Sequence, residues 1–230
     1  MAGIVKITYS GQVVKYIKDM VLKGELAPGD QVKEAEISKK LDISRAPVRE
    51  AMQILINEGL VSSKPQKRKY ITALTSKEII DSYFTGGVLE AAAVAKSLDA
   101  YLAKDIVRLE KIVEKMHDLA DSDSRSEQLA TLDNHFHDVL FSRVDNQLLI
   151  ELCRRSCQEI SKFLLFRYWR NLFSVAEVYS RHKAIVDAIK NGDLVELEKV
   201  IRKHYNDSGL RMSRYGIDKI DLTNKGINQD

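Results

Sequence analysis

Four side chains in the second half of the sequence have the chemistry of metal ligands. Asp133 and His137 are four residues apart, so on a helix both would point to one side, and His182 and His204 follow later in the chain. One carboxylate and three imidazoles suit a borderline divalent ion such as zinc, nickel or manganese. The same four side chains could instead form a buried polar network without a metal ion. A hydrolytic metal centre is a further alternative, but the sequence offers no convincing general base for it.

A second group of side chains has the chemistry needed to bind DNA. Arg45, Arg49 and Gln53 recur every four residues, so on a helix they form one stripe. A guanidinium can donate two hydrogen bonds to guanine in the major groove, and Ser44, before the helix, could meet a phosphate. The alternative is an ordinary surface on which these arginines pair with Glu50 or other acidic residues.

The distribution of charge favours a polyanionic partner for the first third of the 230 residues. Residues 1–75 contain thirteen Lys and Arg against eight Asp and Glu, whereas the remainder contains twenty-three against twenty-five. A basic segment of this kind is typical of nucleic-acid binding, although a solvated basic surface has the same composition. The basic side chains expected to contact phosphates are Lys64, Lys67, Arg68 and Lys69.

Composition and hydropathy indicate a globular protein without a membrane partner. Hydrophobic residues make up 44% and charged residues 30% of the chain, and the longest apolar runs are far too short to span a bilayer. The first residues lack the features of a signal peptide, so we expect a cytoplasmic location. Cys153 and Cys157 are too few for a disulfide scaffold and are expected to be small buried hydrophobes.

The elements that must position the DNA-binding residues are three short helices followed by a hairpin. Helical periodicity reaches Leu22 and ends at Gly24, and two further helices are predicted over 34–41 and 45–58, the second with Ser44 as its N-cap. Short β-prone pieces flank a polar tip within residues 60–72. Residues 1–75 are therefore predicted to form a winged helix-turn-helix domain.

The elements that must position the metal ligands are all helical. The segments with helical periodicity are 76–99, 103–120, 125–143, 147–170, 174–190 and 193–214. They predict an antiparallel helical bundle over residues 76–215, followed by a disordered polar tail over 216–230. The fold class is thus mainly α, with an N-terminal winged helix-turn-helix and a C-terminal all-α bundle.

Residues 10–72 resemble the DNA-binding domain of the GntR family of bacterial regulators. The resemblance rests on residues 25–29 (ELAPG), 43–51 (ISRAPVREA) and 58–61 (EGLV). It implies a homodimer that binds an inverted repeat of double-stranded DNA, with Arg45 and Arg49 reading bases. This sequence departs from the family at Ala35, where some members have another arginine, and at Arg68, near which the wing usually has a glycine.

Residues 76–212 resemble the FCD effector domain, which defines the FadR subfamily of GntR regulators. The strings that carry this resemblance are 132–137 (LDNHFH), 179–185 (YSRHKAI) and 189–193 (IKNGD). It implies a metal ion held by the residues matching Asp133, His137, His182 and His204, and a small effector, often a carboxylate, bound beside it. His117 and His135 match no ligand position and are expected either at the surface or as neighbours of the ligands.

One position departs from the effector-binding pattern of this resemblance. Members that bind organic acids often have an arginine four residues before the glutamate matching Glu90, and that position is Gly86 here. Arg154 or Arg155 could substitute as the carboxylate-binding cation. Gly86 and Gly87 together are also expected to weaken or kink their helix.

The function predicted from the sequence is that of a ligand-responsive, DNA-binding regulator and not of an enzyme. The resemblance indicates a repressor of a metabolic operon with a metal-assisted effector pocket. Two alternatives stay open: a dimeric DNA-binding protein whose metal is purely structural, and a metal-dependent hydrolase.

Overall fold

The computed structural model describes residues 8–64, 68–119, 125–169 and 172–218. The chain divides after Leu74 into two compact units. The first contains three helices and a small sheet, and the second is entirely helical in the residues described. The predicted fold class is confirmed. Across the described ranges, no helix combines the length and apolar character needed to cross a membrane.

The first unit has the helices and hairpin that the sequence predicts. Its helices are α1 (Tyr9–Lys23), α2 (Glu34–Leu41) and α3 (Arg45–Asn57). Helix α1 ends at Gly24, whose φ of 77° is a left-handed conformation that glycine adopts without a Cβ clash. Ser44 is the N-cap residue of α3 by backbone conformation, but its side chain makes no capping hydrogen bond.

The sheet of the first unit contains one strand more than predicted. Its strands are β1 (Gln31–Val32), β2 (Val61–Lys64) and β3 (Arg68–Ile71), and their spatial order is β1-β3-β2, antiparallel throughout. In the hairpin Lys64 pairs with Arg68, and in the outer ladder Gln31 pairs with Tyr70. Strand β1 has only two residues, too few to give a periodic signal in the sequence.

The core of the first unit fixes which face of α3 points outward. Val48 and Leu55 on α3 are completely buried, as is Val13 on α1. This apolar stripe packs the helix against the rest of the unit. The opposite face of α3, which carries the arginines, is therefore left in solvent.

The second unit is built from seven α-helices within the described residues and one π-helix. The α-helices are α4 (Ser76–Lys96), α5 (Ala103–His117), α6 (Arg125–Phe141), α7 (Gln147–Cys153), α8 (Phe166–Trp169), α9 (Val175–Asn191) and α10 (Leu194–Met212). Their apolar faces meet in a core whose fully buried side chains include Phe136, Leu140, Ile185 and Ile201. Both cysteines are buried, as predicted.

The helix predicted over 147–170 is not continuous. It is divided into α7, a π-helix over Arg154–Lys162, and α8. Hydrogen bonding in a π-helix runs from i to i+5, so each turn is wider and side chains face different directions than in an α-helix. Sequence periodicity could not show this change, because apolar residues still recur with nearly helical spacing.

Helix α4 is uninterrupted through Gly86 and Gly87, so the two glycines do not end it. A Cβ at Gly87 would lie 2.7 Å from Cβ of Tyr205, and one at Gly86 would lie 3.0 Å from Cβ of Cys157. The two glycines therefore let α10 and the π-helix approach α4 closely. Packing from both sides supports the helix where its own propensity is low.

The start of the predicted disordered tail is ordered. The side chain of Asp218 accepts hydrogen bonds from the backbone N–H of Ser76 (2.7 Å) and from its hydroxyl (2.8 Å), so residues 216–218 pack against the start of α4. A carboxylate at a helix N-terminus satisfies a backbone donor that has no partner within the helix. The remainder of the predicted tail, residues 219–230, lies outside the described residues.

Candidate metal centre and nucleic-acid interface

The start of α3 presents two unpaired guanidiniums to solvent. Arg45 and Arg49 are exposed, and neither forms a hydrogen bond or ion pair within the described part of the chain, so the pairing with Glu50 considered above is not seen. Gln53 is also exposed and donates a hydrogen bond to Asn57 (3.0 Å). The arginines are thus free to reach the edges of bases from the N-terminal end of a helix.

The hairpin adds basic groups beside this helix. Arg68 is exposed at the start of β3, and Lys69 donates to the hydroxyl of Ser63 (2.9 Å). Arg49, Gln53, Arg68 and Lys69 all line one open groove of about 500 Å³. Lys67 lies outside the described residues, and only the backbone of Lys64 is described. Cations outnumber the one carboxylate of this lining, that of Glu34, so the groove has a net positive charge of the kind that a phosphate backbone attracts.

The second unit brings the four predicted metal ligands together. One ligand atom from each of Asp133, His137, His182 and His204 lies within 4.8 Å of those of the other three, and all four residues are buried. Helix α6 supplies the first two, α9 the third and α10 the fourth. A set of this composition and spacing could hold a divalent ion. These residues are called the quartet below.

Glu90 fixes the orientation of one imidazole in the quartet. His137 Nδ1 lies 2.8 and 2.9 Å from the two carboxylate oxygens of Glu90, which is fully buried and also accepts from the hydroxyl of Tyr205 (2.9 Å). Burial lowers the pKa of His137, but the adjacent Glu90 charge and hydrogen bond raise it more, so the net shift is upward. The carboxylate holds Nδ1 as a donor and turns Nε2 toward Asp133.

His182 is held in the same way by the backbone. Its Nδ1 donates to the carbonyl oxygen of Val178 (2.7 Å), and its Nε2 lies 3.1 Å from Oδ1 of Asp133. Nε2 of His182 and Oδ1 of Asp133 are thus close enough for one cation to be bound by both. Together with the composition of the quartet, this spacing fits a metal ion.

His204 has an unsatisfied ring nitrogen. Its Nδ1 is buried and has no hydrogen-bond partner within the described ranges. Burial lowers the pKa of His204 well below its usual value, and Arg181 and the neighbouring histidines lower it further. A neutral imidazole is the form that can coordinate a metal.

Lys162 is a component of the site that the sequence analysis did not identify. Its ammonium donates to Oδ2 of Asp133 and to the side-chain oxygen of Asn134 (2.9 Å). Burial raises the pKa of Asp133, but Lys162 and the adjacent histidines outweigh burial and hold this pKa well below its usual range. Asp133 is therefore an ionised, buried carboxylate with a cationic partner.

A small cavity of about 30 Å³ lies beside the quartet. That volume is enough for one or two water molecules. Besides the quartet, the cavity lining includes Tyr83, Cys157, Gln158, Lys162, Phe173, Arg181 and Tyr205. Among the residues that the structure describes, the buried Nε of Arg181 and Nε2 of Gln158 have no hydrogen-bond partner. The cavity therefore offers unsatisfied donors next to the quartet.

The expected roles of Arg154 and Arg155 as cations of this pocket are wrong. Arg154 donates to Asp138 (2.7 Å) at the surface, Arg155 is exposed, and neither lines the cavity. The π-helix turns Cys157, Gln158 and Lys162 inward, which leaves the two arginines outside. The cations at the cavity are Lys162 and Arg181. Arg181 directly precedes the predicted ligand His182 in the sequence. This adjacency could have indicated that Arg181 lies close to the site.

Two histidines outside the quartet behave as expected. His135 is exposed and lies 2.6 Å from Arg108, and His117 is exposed beside Asp118. They take no part in the site.

Fold and site together define a class of protein: a DNA-binding winged helix joined to a helical ligand-binding unit. Comparison with known families agrees. The FCD domain matches residues 81–207, and the family described as bacterial regulatory proteins, gntR family, matches residues 9–71. The chain belongs to the GntR regulators that carry an FCD domain. This is a family of transcriptional regulators and not of enzymes.

Individual relatives agree with this assignment. The chain is 24% identical over 198 residues to the HTH-type transcriptional regulator YdhC of Bacillus subtilis, covering 86% of this chain and 88% of the relative. It is 23% identical over 200 residues to the HTH-type transcriptional repressor RspR of Escherichia coli, covering 85% of each. Among solved structures, E. coli McbR/YncC shares the fold with a TM-score of 0.66 at 18% identity, over 97% of this chain and 100% of that one.

Proposed function

We propose that this chain is a cytoplasmic, homodimeric repressor of a metabolic operon, which binds an inverted-repeat operator and responds to a small molecule in its second unit. The observation that carries DNA recognition is the pair of exposed, unpaired guanidiniums at the start of α3. The similarity to RspR, which is named as a repressor, supports repression over activation.

Base recognition is assigned to Arg45 and Arg49, and backbone contact to the wing. Replacing Arg49→Ala should weaken operator binding and relax the base preference, because a bidentate contact to guanine discriminates by about 1–3 kcal/mol. Footprinting and fluorescence anisotropy on the preferred operator and on single-base variants measure both effects. Lys183→Ala removes one exposed positive charge from the other unit and is the matched control. An unchanged footprint and affinity for Arg49→Ala would reject this role.

The quartet is assigned as a divalent metal site. Asp133 would supply one oxygen, and the three histidines one nitrogen each, with Glu90 orienting His137. A bound ion supplies positive charge and open coordination positions for an anionic oxygen. Elemental analysis of freshly purified protein, and of His182→Ala as the control, tests the assignment. Equal metal content in both proteins would reject it.

The effector is assigned as a small anion, such as a carboxylate, bound beside the quartet. Lys162 and Arg181 place two cations at the small cavity there, which compensates for the absent arginine at Gly86. An effector that prefers the native state raises the melting temperature, so a thermal-shift screen of small carboxylates with metal-loaded protein is the test. If no carboxylate in that screen raised the melting temperature, the alternative of a purely structural metal in a dimerising unit would be favoured.

A further inference from the structure

The ammonium of Lys162 forms an ion pair with Asp133, the carboxylate of the quartet. Its Nζ donates to Oδ2 of Asp133, while Oδ1 of the same carboxylate lies 3.1 Å from His182 Nε2. Both side chains of the ion pair are buried, with exposed fractions of 8% for Lys162 and 5% for Asp133. The pair is thus withdrawn from water and belongs to the interior of the site.

A buried carboxylate needs a compensating positive charge. Removing the partner of a buried ion pair usually destabilises a protein strongly, because the remaining charge keeps its desolvation penalty. Lys162 supplies that charge here without any metal. A divalent ion bound to Asp133 would supply it as well, but it would also repel the ammonium at the distance of a direct contact. Two cations therefore compete for one carboxylate.

We propose that Lys162 is a built-in competitor of the metal ion, which neutralises Asp133 in the metal-free protein and must leave this carboxylate when a divalent ion binds there. The inference rests on the proposed metal site. It has two consequences. The metal-free unit is stable without its ion, and the affinity for metal is lower than the quartet alone would provide.

The surroundings of Lys162 allow the required movement. Lys162 is the last residue of the π-helix, and its side chain lines the cavity beside the quartet. The ammonium can move into this space on its flexible stem, toward any anion that the loaded site holds. Metal binding would then act directly on the end of the π-helix.

Metal affinity of chelator-stripped, full-length protein tests the competition. Competition with a chromophoric chelator gives dissociation constants for zinc, nickel and manganese in the wild type, Lys162→Met and Lys162→Gln. The first variant keeps an apolar stem, and the second keeps an uncharged donor. Both should bind metal at least about tenfold more tightly than the wild type. Lys183→Met, which breaks only a surface pair with Asp187, should leave the affinity unchanged.

Thermal unfolding gives a second readout that does not depend on DNA binding. Metal-free Lys162→Met should melt below the metal-free wild type, because Asp133 loses the ammonium that forms a buried ion pair with it. Saturating metal should raise its melting temperature by more than that of the wild type. If the methionine variant does not fold without metal, the glutamine variant supplies the affinity comparison.

The outcomes separate this inference from the proposed function. Metal binding by the wild type with the same or a weaker affinity in both Lys162 variants would overturn the competition and leave the metal site in place. If none of the proteins bound any of the three ions, both the metal site and this inference would be rejected. Operator binding is measured independently of both.

Discussion

At the scale of single residues, the candidate metal site depends on which nitrogen of each imidazole is held by a neighbour. Glu90 holds Nδ1 of His137 and the carbonyl of Val178 holds Nδ1 of His182, so each ring turns Nε2 to the Asp133 carboxylate. Such partners fix both the tautomer and the direction of a ligand. The geometry of the site is therefore determined as much by these neighbours as by the ligands.

Removing the charge of Glu90 should weaken metal binding without removing a ligand. In Glu90→Gln the side chain keeps its size but no longer stabilises His137 as a basic, correctly oriented ligand. The dissociation constant for metal should rise roughly ten- to a hundredfold, as for other partners of metal ligands. Chelator competition measures this change. Glu110→Gln, which only alters a surface pair with Lys190, is the control, and equal affinity in both variants would contradict the role of Glu90.

At the scale of elements, α9 and the π-helix carry the side chains that complete the site. Helix α9 begins with a capping box in which Ser174 and Glu177 each accept from the backbone N–H of the other. Glu177 also pairs with Arg211 on α10 (2.7 Å). These contacts fix the start of the helix that positions Arg181 and His182.

The stability provided by Glu177 should depend on pH. The hydrogen bond from Arg211, and then the backbone donor of Ser174, lower the pKa of Glu177 from 4.5 to about 2. A carboxylate with a lowered pKa stabilises the fold fully above its unfolded pKa, and this contribution is lost as the pH falls from about 4.5 through about 2. Glu177→Gln should therefore be less stable than the wild type at pH 7, with a difference that shrinks in that acidic range.

Thermal unfolding across this pH range measures the effect. Glu198→Gln, which removes an exposed i,i+4 pair with Arg202, should show little difference from the wild type at any pH. A stability difference for Glu177→Gln that stayed constant from pH 7 to pH 2.5 would show that the loss is not electrostatic.

At the scale of the whole molecule, the proposed homodimer determines what kind of DNA can be bound tightly. One copy presents one α3, and two copies can contact two half-sites about one helical turn, roughly 34 Å, apart. Because the two half-sites are bound by linked domains, the second contact benefits from a high effective concentration.

Operator fragments containing one half-site should bind much more weakly than the full inverted repeat. We expect a loss of roughly a hundredfold or more in anisotropy titrations, with a dimeric mass in light scattering. A fragment of equal length with the second half-site scrambled controls for the amount of phosphate backbone. Equal affinity for both fragments, together with a monomeric mass, would contradict the dimer.

The sequence by itself determined what depends on near neighbours in the chain. The bounds of α2 agree with its prediction, α1 ends at the predicted Gly24, and the stripe of Arg45 and Arg49 lies opposite a buried face. Helix periodicity and end signals are local properties, so a single sequence contains them. The four candidate ligands were also recognisable from the sequence. They are one aspartate and three histidines, and the segments around them resemble the FCD domain.

Only the tertiary structure decided which side chains meet across elements. It placed Lys162 and Arg181 at the cavity and left Arg154 and Arg155 outside. Lys162 and the two outer arginines are all carried by the π-helix, whose wider turn faces side chains in directions that α-helical spacing does not predict. It also kept α4 continuous through Gly86 and Gly87, since neighbouring helices fill the space that side chains would occupy. Contacts between elements distant in sequence depend on how these elements pack, and local patterns do not encode that packing.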